Sequence, residues 1–362
     1  MHRLTTIESA PVHMQISANA RLRYFLKRAK AFQPSRVWGF ARQISREQGK
    51  LTVPVFVDML WWAAFEDTAY IDYYEADFAL LSRRERKTFM TSLIQHHLAT
   101  AFNDREAATI LEDKISFNRA FGAYLGREWL DLQDAGLDGL RAFADRHPIV
   151  IAKVPVSREG KGVFRYDTVE VTDWPAFFDD LTAKGRVLIE EPIVQHPYLS
   201  KYCAGTVNTT RFTTFFDGEQ VHVLLVAQKF GRGAVSDQFT WGGFFTMLDD
   251  KGHSVGPGHT GKHKSRYDVH PDSHESIVDF QLPLWDEAVA MLDRAARVVP
   301  EVPYVGWDVA IGEHGPVLIE GNWTPGLYET RVSATGIRHG SRPVHEALMK
   351  TSSGARPGDT HP

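Results

Sequence analysis

Apolar residues follow a helical spacing through the first third of the chain. The segment from Asp58 to Thr100 is rich in aromatic and aliphatic side chains and contains few turn-forming residues. Ser82 and Glu85 stand in the positions of a capping box, in which each side chain binds a backbone N–H at the start of a helix. The pattern therefore predicts a mainly helical N-terminal region covering residues 1–103.

The apolar pattern changes to that of strands after residue 148. A run of β-branched residues, 149–154, lies between two prolines and predicts a buried strand that contains Lys153. The run 187–189 predicts another strand. Alternating residues at 207–216 and 221–230, separated by an Asp-Gly turn, predict a hairpin. A lysine inside a buried strand needs a negative partner, so we expect an anion beside Lys153.

A second hairpin is predicted near the C-terminus, in the stretch VGWDVAIGEHGPVLIEGNWTPG that begins at Val305. A three-residue loop, 313–315, would place Asp308 opposite Glu320, with Asn322 on the same face. Opposed carboxylates repel unless a cation joins them, and Mg²⁺ prefers carboxylate and amide oxygens. The alternative is a solvated hairpin face. The interpretation requires a loop with an odd number of residues, since an even loop would separate Asp308 from Glu320.

The motifs GWDVAI and GPVLIEGN resemble the metal-binding end of the ATP-grasp superfamily, and the wider pattern is most similar to the sugar-transfer-associated ATP-grasp family. The resemblance extends from about residue 70 to about residue 344. It implies an α+β fold in which two α+β subdomains grip ATP, here preceded by the helical region. The implied domains are residues 104–190 with the lysines and a glycine flap, and residues 191–345 with the metal and substrate site. A polar tail, 346–362, is expected to be disordered.

The same resemblance implies a nucleotide site and a metal site. It assigns Asp308, Glu320 and Asn322 to Mg²⁺. The residues that it assigns to ATP are Lys114, Lys153, Gly160 and Gly162 of the flap, and Glu190, Glu191 and Ile193 of the hinge that follows strand 187–189. For the lysine in the strand, the alternative is a side chain that reaches the surface beside a simple turn.

Three polar residues of the predicted 207–230 hairpin are candidates for catalysis. Arg211 has few acidic neighbours in sequence, so a phosphate or a substrate carboxylate would satisfy it. The family pattern Asn-Thr-x-Arg places Asn208 three residues before Arg211, with a second cation, here Lys229, on the partner strand. Whether the two cations share a face depends on the hairpin loop. A structural ion pair of Arg211 is the alternative to anion binding.

Charge and composition restrict the partners. A net charge of −4 argues against a dedicated nucleic-acid binder. The single cysteine, Cys203, fits a free thiol in a reducing cytoplasm, and no run approaches the length of a membrane span. Residues 21–50 carry nine basic side chains against one acid. This predicts a solvated helix face, with weak contact to an acidic partner or a membrane surface as the alternative.

Between Gly231 and Asp279 the chain is rich in glycine and histidine. The five histidines of 253–274 lack the spacing of a zinc site, so we expect a loop that shapes the second substrate. The sequence also lacks a convincing nucleophile with its base. By resemblance, the expected reaction is ATP-dependent joining of a carboxylate and an amine, both small molecules, through an acyl phosphate. A phosphotransferase on the same fold and a non-catalytic nucleotide sensor are the alternatives.

Overall fold

The structure is a computed structural model that describes residues 33–157, 160, 162–261 and 266–353, with side chains to residue 348. The described residues fall into two compact units. One contains residues up to His97 together with those from Arg338 onwards, and the other contains Leu98–Ile337. Residues 21–32 of the basic segment, three residues of the flap loop (158, 159 and 161), His263 and the tail after residue 353 lie outside the described residues.

The helices are α1 (Pro34–Gln48), α2 (Thr52–Phe65), α3 (Tyr70–Glu75), α4 (Arg83–Arg86), α5 (Ser92–Phe102), α6 (Thr109–Glu112), α7 (Lys114–Ala120), α8 (Leu132–Arg146), α9 (Trp174–Ala183), α10 (Pro197–Ser200), α11 (Trp285–Ala296), α12 (Val332–Thr335) and α13 (Arg342–Ser353). The strands are β1 (Trp129–Asp131), β2 (Ile149–Lys153), β3 (Val163–Asp167), β4 (Leu188–Glu190), β5 (Thr209–Phe216), β6 (Val221–Phe230), β7 (Phe244–Leu248), β8 (Gly258–His259), β9 (Arg266–Tyr267), β10 (Tyr304–Gly312) and β11 (Gly315–Asn322).

The first unit is helical, as the sequence predicts. Helix α1 starts with Pro34 in its first turn and ends at Gly49, whose φ of 65° suits glycine. The predicted capping box is present at α4: Ser82 Oγ accepts from the Glu85 N–H, and Glu85 Oε2 accepts from the Ser82 N–H at 2.7 Å. Buried aliphatic and aromatic side chains from α1, α2 and α3 form its interior.

The second unit contains two antiparallel sheets. The smaller has the strand order β1-β4-β2-β3, with α8 and α9 packed on one face. On that face Val150 and Ala152 of β2 are fully buried against Leu140 and Leu181. The intervening residues, Ile151 among them, point to the opposite face. The predicted strand that contains Lys153 is therefore confirmed, and its lysine lies on the face away from the helices.

The larger sheet has the strand order β11-β10-β5-β6-β7-β8-β9. One face carries Phe212, Phe230 and Val309, which pack in a core with α11. Polar residues alternate with these along the same strands and therefore line the other face. The two sheets and the helical N-terminal region confirm the predicted α+β class. In the described part of the chain, no helix combines the length and apolar content needed to cross a bilayer.

Candidate active site

The C-terminal hairpin, β10–β11, does not have the predicted loop. Its loop contains two residues, Glu313 and His314, because Gly312 pairs directly with Gly315. The register then shifts by one residue: Val309 faces Leu318, whereas Asp308 faces Glu320. A β-bulge at Ile319 causes the shift. The extra residue on β11 brings Glu320, rather than Ile319, opposite Asp308. The three-residue loop was thus wrong, but the predicted pairing of Asp308 with Glu320 is confirmed.

Asp308 lies at the centre of a buried ion-pair network. Its Oδ1 accepts from Arg211 Nε at 2.7 Å and lies 3.2 Å from Lys229 Nζ, while its Oδ2 accepts from Arg211 Nη2 at 2.9 Å. Lys229 Nζ also lies 3.6 Å from Asp237 Oδ1. Burial alone would raise the pKa of Asp308, but the charges of Arg211 and Lys229 outweigh burial and hold that pKa below its usual value.

Arg211 and Lys229 therefore share one face of the sheet. Arg211 pairs with Ala227 across β5–β6, so Lys229, two residues further, points to the same side. The anion beside Arg211 is Asp308. The structure therefore shows the ion pair that was the alternative to binding of a phosphate or substrate carboxylate by Arg211. Arg211 Nη1 also donates to the Pro325 carbonyl. Lys229 lines a cavity that also contains Asp308 and Glu320 in its wall, whereas Arg211 does not line it.

Glu320 and Asn322 meet beside this network. Asn322 Nδ2 donates to Glu320 Oε1 at 3.2 Å, so both side chains lie on one face of β11, as predicted. Glu320 lines the cavity together with Asp308. Among the described residues, no three His, Cys, Asp or Glu side chains are arranged to hold a metal. A cation here would depend on two carboxylates and one amide.

A second buried ion-pair cluster lies on the smaller sheet. Lys153 Nζ forms an ion pair with Glu190, which also receives hydrogen bonds from Arg127 Nη2 at 3.0 Å and Asn118 Nδ2 at 2.9 Å. The expected anion beside Lys153 is thus Glu190. Burial lowers the pKa of Lys153, and Glu190 only partly offsets this effect. Burial raises the pKa of Glu190, but Arg127 and Lys153 outweigh it and leave the pKa low.

Lys114 contacts the loop that follows β2. Its Nζ donates to the Ser157 carbonyl at 2.9 Å and approaches Ser157 Oγ at 3.3 Å. In the same loop Gly160 has a φ of +67°, and a Cβ at this position would lie 2.7 Å from Ser236 Oγ. A Cβ on Gly162 would lie 2.5 Å from Ser157 Oγ. The loop needs both glycines because it folds closely on itself and approaches the segment around Ser236.

These groups surround one cavity of about 410 Å³. Lys114, Lys153 and Arg165 supply cationic groups from the side of the smaller sheet, and Lys229, Asp308 and Glu320 lie on the larger sheet. The apolar side chains that line it include Ile151, Val163, Ile193, Val207 and Ile319. Ile319 is the extra residue of the bulge, so the bulge both restores the carboxylate register and brings an apolar side chain to the cavity.

The hinge segment, residues 191–194, forms one wall of this cavity. It is fixed at Glu191, whose N–H donates to the Glu128 carbonyl and whose Oε2 accepts from the Glu128 N–H, both at 3.0 Å. A larger cavity of about 780 Å³ lies on the other side of the hinge and is bounded by the β10–β11 loop and α11. Its lining contains none of the lysines described above, so the smaller cavity is the candidate site.

A family model described as sugar-transfer associated ATP-grasp matches residues 177–345. The match covers slightly less than half of the chain, so residues 177–345 are similar to the sugar-transfer-associated ATP-grasp family. The resemblance seen in the sequence is thereby confirmed.

Solved structures of ATP-grasp ligases are similar to the chain. The ligase PsnB in complex with a minimal precursor is 15% identical, with 74% of this chain and 71% of that chain covered and a TM-score of 0.42. D-alanyl-alanine synthetase A from Vibrio cholerae is 11% identical, with coverages of 70% and 67% and a TM-score of 0.40. D-alanine–D-alanine ligase from Bacillus anthracis is 13% identical, with coverages of 72% and 75% and a TM-score of 0.40. No curated protein matches the chain.

The ATP-grasp segment includes the hinge, Arg211, Lys229 and the carboxylate hairpin. Lys114, Lys153 and both flap glycines precede it. Their assignment therefore depends on where the structure places them. Lys114, Lys153 and Gly160 line the same cavity as Glu320, whereas Gly162 does not.

Asn208 occupies a different place from the catalytic one predicted for it. It is fully buried and does not line the cavity. Its Nδ2 donates to Gln195 Oε1 and to the carbonyls of Leu199 and Cys203, and its Oδ1 accepts from the Gly231 N–H. These hydrogen bonds occupy both ends of its amide group. Asn208 is therefore placed to fix the backbone around the start of β5.

The histidine-rich loop packs partly inside the fold. His259 and His270 are buried, and their Nε2 atoms lie 3.2 Å and 2.9 Å from the carbonyls of Glu329 and Gly231. His253 pairs with Asp249 at 3.5 Å. The two buried rings therefore bind backbone groups, which is the arrangement of structural histidines.

Two residues that the sequence did not single out take part in the site. Arg127 forms the ion pair with Glu190, and Asp237 accepts from the N–H and Oγ1 of Thr209 while facing Lys229. Arg127 lies 63 residues from Glu190 and has no motif of its own, so only a signal that reports long-range pairing could have found it. Asp237 is near Lys229 in sequence and stands before Gln238 in a stretch that resembles the Asp-Asn-x-x-x-Gly-Gly pattern of the family, which could have indicated it.

Proposed function

We propose that this chain is an ATP- and Mg²⁺-dependent carboxylate–amine ligase that forms an amide through an acyl phosphate. The supporting observation is the single cavity that Lys114, Lys153, Lys229 and Glu320 line together. Three cations and a metal-binding type of carboxylate around one cavity suit a triphosphate with its metal. The family match supports the same assignment.

The adenine ring would lie between the two sheets. Ile151 and Val163 offer apolar contacts from one sheet and Ile319 from the other, and the hinge backbone at Ile193 borders the same space. Backbone N–H and C=O groups of such a hinge can read the edge of the base. Lys114 would exchange its bonds to the Ser157 loop for a phosphate oxygen, which would couple phosphate binding to the position of the flap.

Glu190 suits a supporting role in this site. Its carboxylate is 2% exposed and is occupied by Lys153, Arg127 and Asn118. It would hold Lys153 in place and compensate its buried charge when no nucleotide is bound. Glu191, half-buried at the hinge, is the acidic side chain with access to a ribose hydroxyl.

The residues that would hold Mg²⁺ fit the ion in part. Glu320 and Asn322 are half-buried oxygen donors on one face of β11. Asp308 already accepts two contacts on Oδ1 and one on Oδ2, so it has room for a cation through Oδ2 only. The ion would neutralise phosphate charge when bound. The chain's own contribution would be to place these three oxygen donors opposite the lysines.

Lys229 would act at the acceptor end of the cavity. The substrate carboxylate attacks the γ-phosphorus of ATP as the bond to ADP breaks, which gives an acyl phosphate. The amine nitrogen then attacks the carbonyl carbon, phosphate leaves, and the amine loses a proton. Both steps place negative charge on oxygens, and Lys229 would stabilise that charge at the cavity wall. Arg211 would hold Asp308, and Asp308 in turn would position Lys229.

The test is an ADP-release screen of the purified chain with pools of carboxylates and amines, followed by mass spectrometry of the product. A ligase needs both pools and yields one amide for each ADP released. Release with one pool alone and a phosphorylated product would show a phosphotransferase. ATP binding without turnover in any mixture would show a nucleotide sensor. Glu320→Gln is the inactive control, because it removes a metal ligand that makes no ion pair with the buried cations.

A further inference from the structure

One face of helix α2 is apolar and exposed. Val53, Val57, Trp61 and Phe65 repeat every four residues and form one stripe, which is called the apolar stripe below. Val53, Val57 and Phe65 are 59%, 57% and 64% exposed. The opposite face of α2 packs inward through Val55, Met59 and Trp62. A helix that is apolar on all sides is normally buried, so an exposed stripe indicates an interaction surface.

Cations border the apolar stripe along helix α1. The ring of Trp38 on α1 contacts Phe56 of α2, with ring centroids 5.2 Å apart, so this side of α1 faces α2. Arg42 and Arg46 follow Trp38 at the same four-residue spacing, and both are exposed. These two arginines are called the basic row below. On α4, the Arg83 guanidinium lies 4.8 Å from the centroid of the Trp61 ring.

Acidic groups beside the stripe are already neutralised. Asp58, the acid within α2, is bound by Arg86 at 2.7 Å. Glu66, which follows the helix, is bound by Arg83 at 2.8 Å and by Lys87 at 3.4 Å. Glu47 on α1 is exposed but follows Arg46 directly. The surroundings of the apolar stripe are therefore net positive.

We propose that the apolar stripe and the basic row dock this protein onto an anionic lipid surface. Apolar side chains with a tryptophan, flanked by arginines, fit the boundary between acyl chains and negatively charged headgroups. Helix α2 has 14 residues and is about 21 Å long, which is shorter than the roughly 30 Å core of a bilayer. It would therefore lie in the plane of the membrane.

Charge argues against a second copy of the chain as the occupant. A twofold dimer that packs the two stripes with the α2 helices antiparallel would bring the basic row of each copy to the same edge as that of the other, and like charges repel. An anionic lipid surface would instead attract the arginines of the basic row. The proposal is independent of the ligase activity, because none of these residues lines the ATP cavity.

The test is sedimentation of the full chain with lipid vesicles. Phosphatidylcholine vesicles are compared with vesicles that also contain phosphatidylserine, each at low and high salt. The stripe variant is Val57→Gln with Phe65→Gln, and the row variant is Arg42→Gln with Arg46→Gln. A matched control replaces two exposed residues of the other unit, Val169→Gln and Arg141→Gln. Urea unfolding of each variant verifies that all three remain folded.

We expect binding to the phosphatidylserine vesicles that salt weakens, with little binding to phosphatidylcholine alone. Each test variant should lower the apparent affinity about tenfold or more, and the control should match the wild type. Absence of binding to anionic vesicles, or equal binding by all variants, would overturn the proposal. A dimer that the stripe variant dissociates, without vesicle binding, would identify a second copy as the occupant and would also overturn it.

Discussion

Asp308 and Glu320 lie opposite each other on the same hairpin, but the structure gives them different energetic roles. Asp308 is 3% exposed and balances two buried cations, Arg211 and Lys229. Glu320 is half-buried and bonds to Asn322 without an ion pair to those cations. Asp308→Asn should therefore damage both stability and activity. Glu320→Gln should remove activity alone.

The magnitude follows from what Asp308→Asn leaves behind. Removing one partner of a buried ion pair costs about 3–5 kcal/mol, because the remaining charge stays buried without its partner. Lys229 keeps Asp237 at 3.6 Å, so Arg211 bears most of this cost. For a unit of this size, the loss corresponds to a fall in Tm of about 6–20 °C. Glu320→Gln should change the free energy of unfolding by only about 0.5 kcal/mol.

The assay combines urea unfolding with ATP turnover for both variants. A double variant, Asp308→Asn with Arg211→Gln, should recover part of the lost stability because it removes the uncompensated guanidinium. Wild-type stability in Asp308→Asn would refute the ion-pair interpretation. Equal destabilisation by Glu320→Gln would refute the separation of roles. Unchanged turnover in Glu320→Gln would refute the metal assignment.

Three further predictions concern other parts of the chain. Burial lowers the pKa of His345 from 6.5 to about 4, so the helical unit should lose roughly 3 kcal/mol of stability as the pH falls from 6.5 to 4. Hydrogen exchange should show this loss, and His345→Gln should reduce it. Gly160→Ala should raise the KM for ATP because its Cβ meets a serine side chain, whereas Gly185→Ala, at a similar φ of 65° in open space, should leave KM unchanged. Ile319→Ala should weaken ATP binding about tenfold by removing an apolar contact in the cavity. Val317 lines the larger cavity instead, so Val317→Ala should leave ATP binding unchanged. Equal losses of affinity in the two variants would exclude the proposed position of the adenine ring.

Much of the fold could be predicted because its signals are local. The strand that holds Lys153 is marked by a β-branched run between prolines, and the helical first unit by its spacing and the Ser82 cap. The partners of buried charges are not local. Glu190 is 37 residues from Lys153 and 63 from Arg127, so the sequence shows that an anion is needed without showing which one. Arg211 lies 97 residues from Asp308, so the sequence did not show which anion Arg211 would meet either.

The C-terminal hairpin shows why a correct pairing can follow from a wrong loop. The alternation of strand side chains fixes only the parity between Asp308 and Glu320, and either an odd loop or an even loop with one bulge satisfies it. The chain has the even loop with a bulge at Ile319. Isoleucine is common in regular strands, so the residue type gave no sign of the bulge. The functional requirement selected the right register, since both carboxylates must face one cavity. The bulge has a consequence that a longer loop would lack, because it leaves Ile319 unpaired beside the candidate cavity. Deleting Ile319 would make Glu320 follow Leu318 directly and so keep it opposite Asp308. The deletion should therefore remove the apolar side chain from the cavity and leave the carboxylate pair in place.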